Sequence, residues 1–261
     1  MSDQGMTARV ELWLAELRLP SIRRDYRKVA HEVGASGGDF TAYLHTLLEE
    51  EVSDRRSRRV QRRIREARFP QLKRLEDLES EELPEGITMA QLGELARGEY
   101  MDRAANIIAV GGSGTGKTHV CDALGLVACE QSRRVRRYKA IELVSELEEA
   151  QENHQLHRYL RRFAGFDLIV IDELGYMPIS PGAADLLFQA LSERHERASV
   201  IVNTNLPFGE WGQVFQTERQ AVAVLDRLTH NAHILEMNGE SYRLKSARQR
   251  RGANKTGRPA L

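Results

Sequence analysis

The sequence predicts an α/β protein: a three-layer domain around a parallel sheet, preceded by a small all-helical N-terminal domain. Three observations carry this expectation. Up to residue 68 the apolar residues recur at helical spacing. From residue 104 short apolar runs alternate with helical patterns, as strands do when helices cross between them. The first of those runs leads into a glycine-rich loop that a helix follows at once.

Taken in order, residues 8–31 read as helix, with Val10, Trp13, Leu14 and Leu17 at helical spacing and Pro20–Ser21 allowing a fresh start. Residues 34–38 (GASGG) are a break. A long helix is expected from 40 to about 68, with Leu44, Leu47, Leu48, Val52, Val60 and Ile64 roughly along one side and Pro70 ending it. Residues 69–88 read as a linker and 89–103 as a lead-in helix. Then come a strand at 105–110, a helix at 117–130, a weaker strand at 135–139 and a helix at 141–150. A strongly apolar strand covers 168–171. Residues 182–197 are helical, since Ala184, Leu187, Phe188 and Leu191 fall at i, i+3, i+4 and i+7. Strands at 200–202 and 233–237 close the series. The expected organisation is a helical domain at 1–68, linker and lead-in helix at 69–103, the α/β domain at 104–245, and a basic disordered tail at 246–261.

Composition narrows the function. Among 261 residues, 38 Lys+Arg balance 38 Asp+Glu, which excludes a uniformly basic DNA-coating protein. No apolar run approaches the ~20 residues that span a bilayer, and the start lacks an export pattern. Cys121 and Cys129 cannot build a disulfide framework. The expectation is a cytoplasmic protein with no membrane partner. The neutral total conceals blocks: residues 55–74 hold ten Lys/Arg against Glu66 alone, 76–85 hold six acids, and Arg243 onward holds seven Lys/Arg and no acid. A smaller cluster comprises Arg133, Arg134, Arg136, Arg137 and Lys139. Arginine suits phosphate contact, so polyanion binding is one use of these blocks and solvated surface the other.

The chemistry begins at residues 111–118, GGSGTGKT, a full G-x-x-x-x-G-K-[ST] match between strand and helix. Gly111, Gly112, Ser113, Gly114, Thr115 and Gly116 let the backbone turn its N–H groups toward phosphate oxygens, with a helix N-terminus behind them. Lys117 is expected to reach the β- and γ-phosphates, and the Thr118 hydroxyl to hold Mg²⁺. In DLIVIDE, residues 167–173, a buried strand ends in two acids. Asp172 is expected to hold Mg²⁺ through its water shell and Glu173 to orient the attacking water. The strand at 135–139, between the loop and Asp172, fits an additional-strand ATPase better than a nucleoside kinase. In VIVNTN an amide at the strand tip can contact the γ-phosphate or the water; Asn205 is the first choice and Asn203 the alternative. Arg227 and Arg243 taken alone are surface arginines.

These motifs together resemble the AAA+ ATPases of the DnaC/IstB group, and more closely the IstB-type transposition helper ATPases of bacterial insertion sequences. LRLPSIRRDY, ARFPQLKRLEDL, GTGKTHV, IDELGYMPIS, NTNLPFGEWGQVF and LDRLTHNAHILEMNGESYRLK carry the likeness across nearly the whole chain. The resemblance implies a P-loop AAA+ domain that takes ATP and Mg²⁺. It implies a homo-oligomeric ring or spiral on duplex DNA, engagement of a cognate transposase, and hydrolysis stimulated by DNA and assembly. By the same likeness Arg227 matches the arginine finger that reaches a neighbour's ATP, and Arg243 the second sensor arginine. Gly112 stands where the family often has proline, and the chain ends too soon after Arg243 for a full C-terminal lid. The rival expectations are a replicative helicase loader of the DnaC type, a small-molecule P-loop kinase, and a module in which ATP is only an assembly switch.

Overall fold

A computed structural model describes residues 3–239 except 79–82, 85, 177 and 216. Arg243 and the expected tail lie outside the described residues. The chain divides into two compact units at Arg62/Arg63.

The first unit contains α1 (Asp3–Glu16), α2 (Pro20–Ala35) and most of α3 (Phe40–Ala67). The helix expected over 8–31 is therefore two helices. Pro20 has no N–H to continue the first and stands as the opening residue of the second. Leu19 at the N-cap of α2 has no side chain able to cap it. Glu51 of α3, 2% exposed, supplies the acceptor instead: its carboxylate takes the Ser21 and Ile22 N–H groups at 2.9 and 3.4 Å. Burial works against its charge, but bonds from Arg55 and those two amides outweigh it and hold Glu51 below the usual carboxylate range. Ile22, Val29 and Leu47 form the small core, while Leu44, Leu48 and Val52 of the expected apolar side are exposed.

The second unit begins with the last turn of α3. Segment 69–103, expected as linker and lead-in helix, packs: Leu75, Ile87, Leu92, Leu95, Tyr100 and Met101 are all buried. The lead-in helix is two pieces, α4 (Met89–Ala96) and α5 (Glu99–Asp102), separated at Gly98. Next come β1 (Asn106–Val110), α6 (Lys117–Glu130), β2 (Val135–Lys139), α7 (Ala140–Glu152), α8 (Leu156–Ala164) and β3 (Leu168–Leu174). The series ends with α9 (Pro181–Ser192), β4 (Ser199–Thr204), α10 (Gly212–Phe215), α11 (Glu218–Thr229) and β5 (Ala232–Glu236). The five strands are parallel in the order β2-β3-β4-β1-β5.

Side chains alternate across this sheet. Ile108, Ile169, Ile171, Val200 and Val202 join a core with residues of α7, α8, α9 and α11. Ile107, Ala109, Leu168, Val170 and Ile201 join another with α4 and α6. Helices on both faces of a parallel sheet make the expected three layers. Among the charged residues that lie inside, Arg194, 1% exposed, donates to the carbonyls of Phe163, Phe166 and Ser199. Burial lowers its pKa to about 10.

Candidate nucleotide site

Parallel topology fixes where chemistry can gather, because the loops after β1, β3 and β4 leave the sheet at its carboxyl-terminal edge. β4 lies between β1 and β3, so the glycine loop and the acidic strand tip are two strands apart with one strand between them. This is the additional-strand layout expected from the sequence.

The loop is shaped by its glycines. Gly111 has φ +152°, and a Cβ there would stand 2.1 Å from the Met237 carbonyl oxygen. Gly116, at φ +90°, is the N-cap of α6 and makes no side-chain cap, which leaves first-turn N–H groups for an incoming anion. Lys117 is 6% exposed, and its Nζ donates to the Gly112 carbonyl at 2.5 Å, across the loop. Thr115 closes the same loop through its Oγ1, which donates to Gly112 O at 3.0 Å.

Side chains from α6 and β4 meet at Asp172 of β3, which is 3% exposed. Thr118 Oγ1 donates to Asp172 Oδ1 at 3.1 Å. Asn203 Nδ2 donates to Thr118 Oγ1 at 2.9 Å and also to Asp172 Oδ1. Asn205 does not join them: β4 ends at Thr204, and Asn205 is exposed in the turn beyond it. Period-two alternation points both amides the same way only while the strand lasts.

Arg137 is the residue that sequence reasoning missed. Counted there as part of a basic surface cluster, it is 7% exposed. Its Nη2 donates to Asp172 Oδ2, and its Nε lies 3.4 Å from Asp122 Oδ1 on α6. Lys73 Nζ is 3.6 Å from the other Asp122 oxygen. Burial raises the Asp122 pKa, with Arg137 and Lys73 opposing it. The available signal was an acid inside the apolar run VCDALG, which needs a buried cation.

Glu173 stands one residue past Asp172 at an irregularity in β3, where the register against β4 shifts between Ile171 and Leu174. Its φ is +61°, a left-handed conformation uncommon outside glycine and concentrated at functional sites. The bulge leaves Asp172 buried and Glu173 half-exposed, with Lys139 Nζ 3.3 Å from its Oε2. Arg227, in the last turn of α11, lies with its guanidinium 4.2 Å from the Phe188 ring centroid and bonds the Ala223 carbonyl at 3.1 Å. Cys121 and Cys129 are buried on α6, and burial pushes the Cys129 thiol up to about 12.

A glycine cradle, a bare helix N-terminus, a buried lysine and a hard-oxygen donor pair, Thr118 and Asp172, fit a polyphosphate with a divalent cation. Comparison with known proteins decides the lineage. Residues 13–250 match the family of IstB-like ATP binding proteins.

The chain belongs to that family. A protein of Sinorhizobium fredii named as an insertion sequence ATP-binding protein is 35% identical over 97% of this chain and 84% of its own length. A protein of Pseudomonas aeruginosa named as the ATP-binding protein of insertion sequence IS21 is 32% identical over 92% and 90%. Among solved structures, AMPPCP-bound DnaA from Aquifex aeolicus superposes with a TM-score of 0.53 at 18% identity, covering 71% of this chain and 56% of that one. This IstB-like chain is thus an ATP-binding P-loop protein of the AAA+ fold. No described helix is long and apolar enough to cross a membrane.

Proposed function

We propose that this IstB-like protein hydrolyses ATP between adjacent copies assembled on duplex DNA, and that the assembly recruits and stimulates the transposase of its insertion sequence. The observation that carries the catalytic half is the hydrogen-bonded set of Thr118, Asp172 and Asn203, with the buried Lys117 bonded across the adjoining loop and Glu173 beside Asp172 on a bulge.

Lys117 and the α6 N–H groups would hold the β- and γ-phosphates. Thr118 and the Asp172 carboxylate would hold Mg²⁺, which supplies neutralisation of charge on the β- and γ-oxygens. Both Asp172 oxygens are engaged, by Arg137 on one side and by Asn203 and Thr118 on the other, so the carboxylate is oriented in advance. Glu173 would take the proton of the water that attacks the γ-phosphorus in line. Asn203, bonded to Thr118 and Asp172, is better placed than Asn205 to sense the γ-phosphate.

One charge remains to be supplied. The described contacts of Arg227 are with Ala223 and Phe188, so its guanidinium does not serve the loop of its own chain. A neighbour's Arg227 would complete the site, and finger arginines contribute on the order of 10³–10⁵ in rate. Transposase and DNA as partners rest on the insertion-sequence naming of the relatives, which favours a helper over a helicase loader.

Mixing two inactive variants tests the shared site. Lys117→Ala lacks ATP and keeps the finger; Arg227→Ala binds ATP and lacks it. With duplex DNA each alone should be nearly inactive. An equimolar mixture should recover activity in about a quarter of its head-to-tail interfaces. No recovery in mixtures that still assemble would refute catalysis in trans.

A further inference from the structure

Strand β2 forms one edge of the sheet. Beside it runs a groove of about 1280 Å³ within the second unit. The last turn of α3 and the residue just after it bring Arg63, Arg65 and Arg68. Arg134 and Arg136 come from the start of β2, and Arg158 and Arg162 from α8. Two arginine blocks that are some 70 residues apart in sequence thus converge on one surface, for example through Arg136 Nη1, which bonds the Glu66 carbonyl at 3.2 Å.

The groove holds seven arginines against three glutamates, Glu66, Glu146 and Glu149, and no lysine. Glu66 pairs with Arg63 at 3.1 Å. Glu146 lies 3.8 Å from Arg68 and 4.0 Å from both Arg136 and Arg162, so one carboxylate is shared among three cations. Among the described residues, Arg65 and Arg158 have no hydrogen bond or ion pair. The surplus is four positive charges in a space open to an anionic chain. Guanidinium groups bind phosphate oxygens bidentately, which a groove of ammonium groups could not do.

The aromatic residues settle which nucleic acid fits. Arg134 stacks on Phe166 at 5.4 Å, Arg136 on Tyr138 at 5.2 Å and Arg162 on Tyr159 at 5.1 Å. Tyr138 and Tyr159 are 3% and 8% exposed. Each ring thus carries an arginine on a face, and the two tyrosines are enclosed. Single-strand binders need open rings on which bases stack. Here the rings orient arginine planes instead, as suits contact with a backbone whose bases stay paired.

We propose that this groove along β2 seats the phosphodiester backbone of duplex DNA. The inference rests on the DNA-assembled reading above and adds where the DNA is held.

The test is fluorescence anisotropy of a dye-labelled duplex of arbitrary sequence, with the full chain, Mg²⁺ and ATP, across a salt series. The groove variant is Arg65→Ala/Arg158→Ala, chosen because neither side chain has a described partner to lose. The control is Arg97→Ala/Arg197→Ala, which removes the same charge from exposed positions outside the groove. With two phosphates no longer neutralised, the slope of log affinity against log salt should fall by about 1.8, and affinity near 0.1 M salt by on the order of 10- to 100-fold. The control should stay within about twofold, and Arg65→Lys/Arg158→Lys should regain most of the slope. An unchanged melting temperature and ATP uptake will show that the groove variant is folded. Equal affinities and slopes in the groove and control variants would overturn the assignment while leaving DNA assembly intact. A wild-type protein that binds no duplex would overturn both. Tighter binding of single-stranded oligothymidine than of duplex would overturn the choice of ligand.

Discussion

Replacing Arg137 by methionine is the sharpest perturbation of the site, because its guanidinium lies between two buried acids. Its Nε is 3.4 Å from Asp122, and its Nη2 is bonded to Asp172; the two acids are 1% and 3% exposed. At an effective dielectric near 20, a pair at that distance is worth on the order of 5 kcal/mol before desolvation. Removing one partner of a buried pair costs about 3–5 kcal/mol, since the charge left behind stays out of water. For a unit of this size that is a melting-temperature loss of about 10 °C. The loss should also depend on pH in a definite sense. Asp122 already has a raised pKa from burial, and Arg137 is the larger of the two cations opposing the rise. Without Arg137 the pKa climbs further. The folded state then keeps a proton that the unfolded chain releases, so stability falls as pH rises from the ordinary carboxylate value to the raised one. Thermal unfolding followed by circular dichroism should show a larger deficit at about pH 8 than at about pH 5. Adding Asp122→Asn should recover part of the deficit at the higher pH. A variant that melts within about 2 °C of the parent, or loses equally at both pH values, would refute the buried-pair reasoning.

Three further outcomes are expected. Gly111→Ala puts a Cβ 2.1 Å from the Met237 carbonyl at φ +152°, so denaturant unfolding should register a loss of at least about 3 kcal/mol. Glu51→Ala leaves the Ser21 and Ile22 amides without their acceptor and should cost about 1–3 kcal/mol, seen as faster hydrogen exchange in α2. Because the folded pKa of Glu51 is lowered, its contribution is present above the ordinary value of 4.5 and is lost as pH falls through the folded one, so the protection of the α2 amides, taken relative to the intrinsic exchange rate at each pH, should fall in acid. Glu173→Gln should retain ATP and lower hydrolysis by about 10² or more, read by a phosphate-release assay.

Much of this was legible because repetition and spacing carry it. The strand and helix limits 135–139 and 117–130 coincide with β2 and α6, since apolar period and the Gly-Lys-Thr helix start both mark them. Helix α8 went unread although Leu156, Tyr159, Leu160 and Phe163 stand at i, i+3, i+4 and i+7; its three arginines masked an apolar stripe only nine residues long. The loop and Asp172 were readable from local motif. Arg137 was not, because charge counting assigns arginines to the surface and only the tertiary pairing with Asp122 and Asp172 accounts for its burial. The Asn203–Asn205 choice turned on where β4 ends, the least legible property of a strand. Arg194 belongs to the same class: a helix-end arginine that three carbonyls draw inside.

Every later step of the proposed cycle starts from Mg²⁺–ATP held by the loop at 111–118 with Lys117 across it. Isothermal titration of the folded protein with ATP and magnesium measures this directly. One nucleotide per chain is expected for the wild type and no uptake for Lys117→Ala of the same melting temperature. A wild-type chain that takes up no nucleotide, or a Lys117→Ala chain that binds as tightly as the parent, would contradict it.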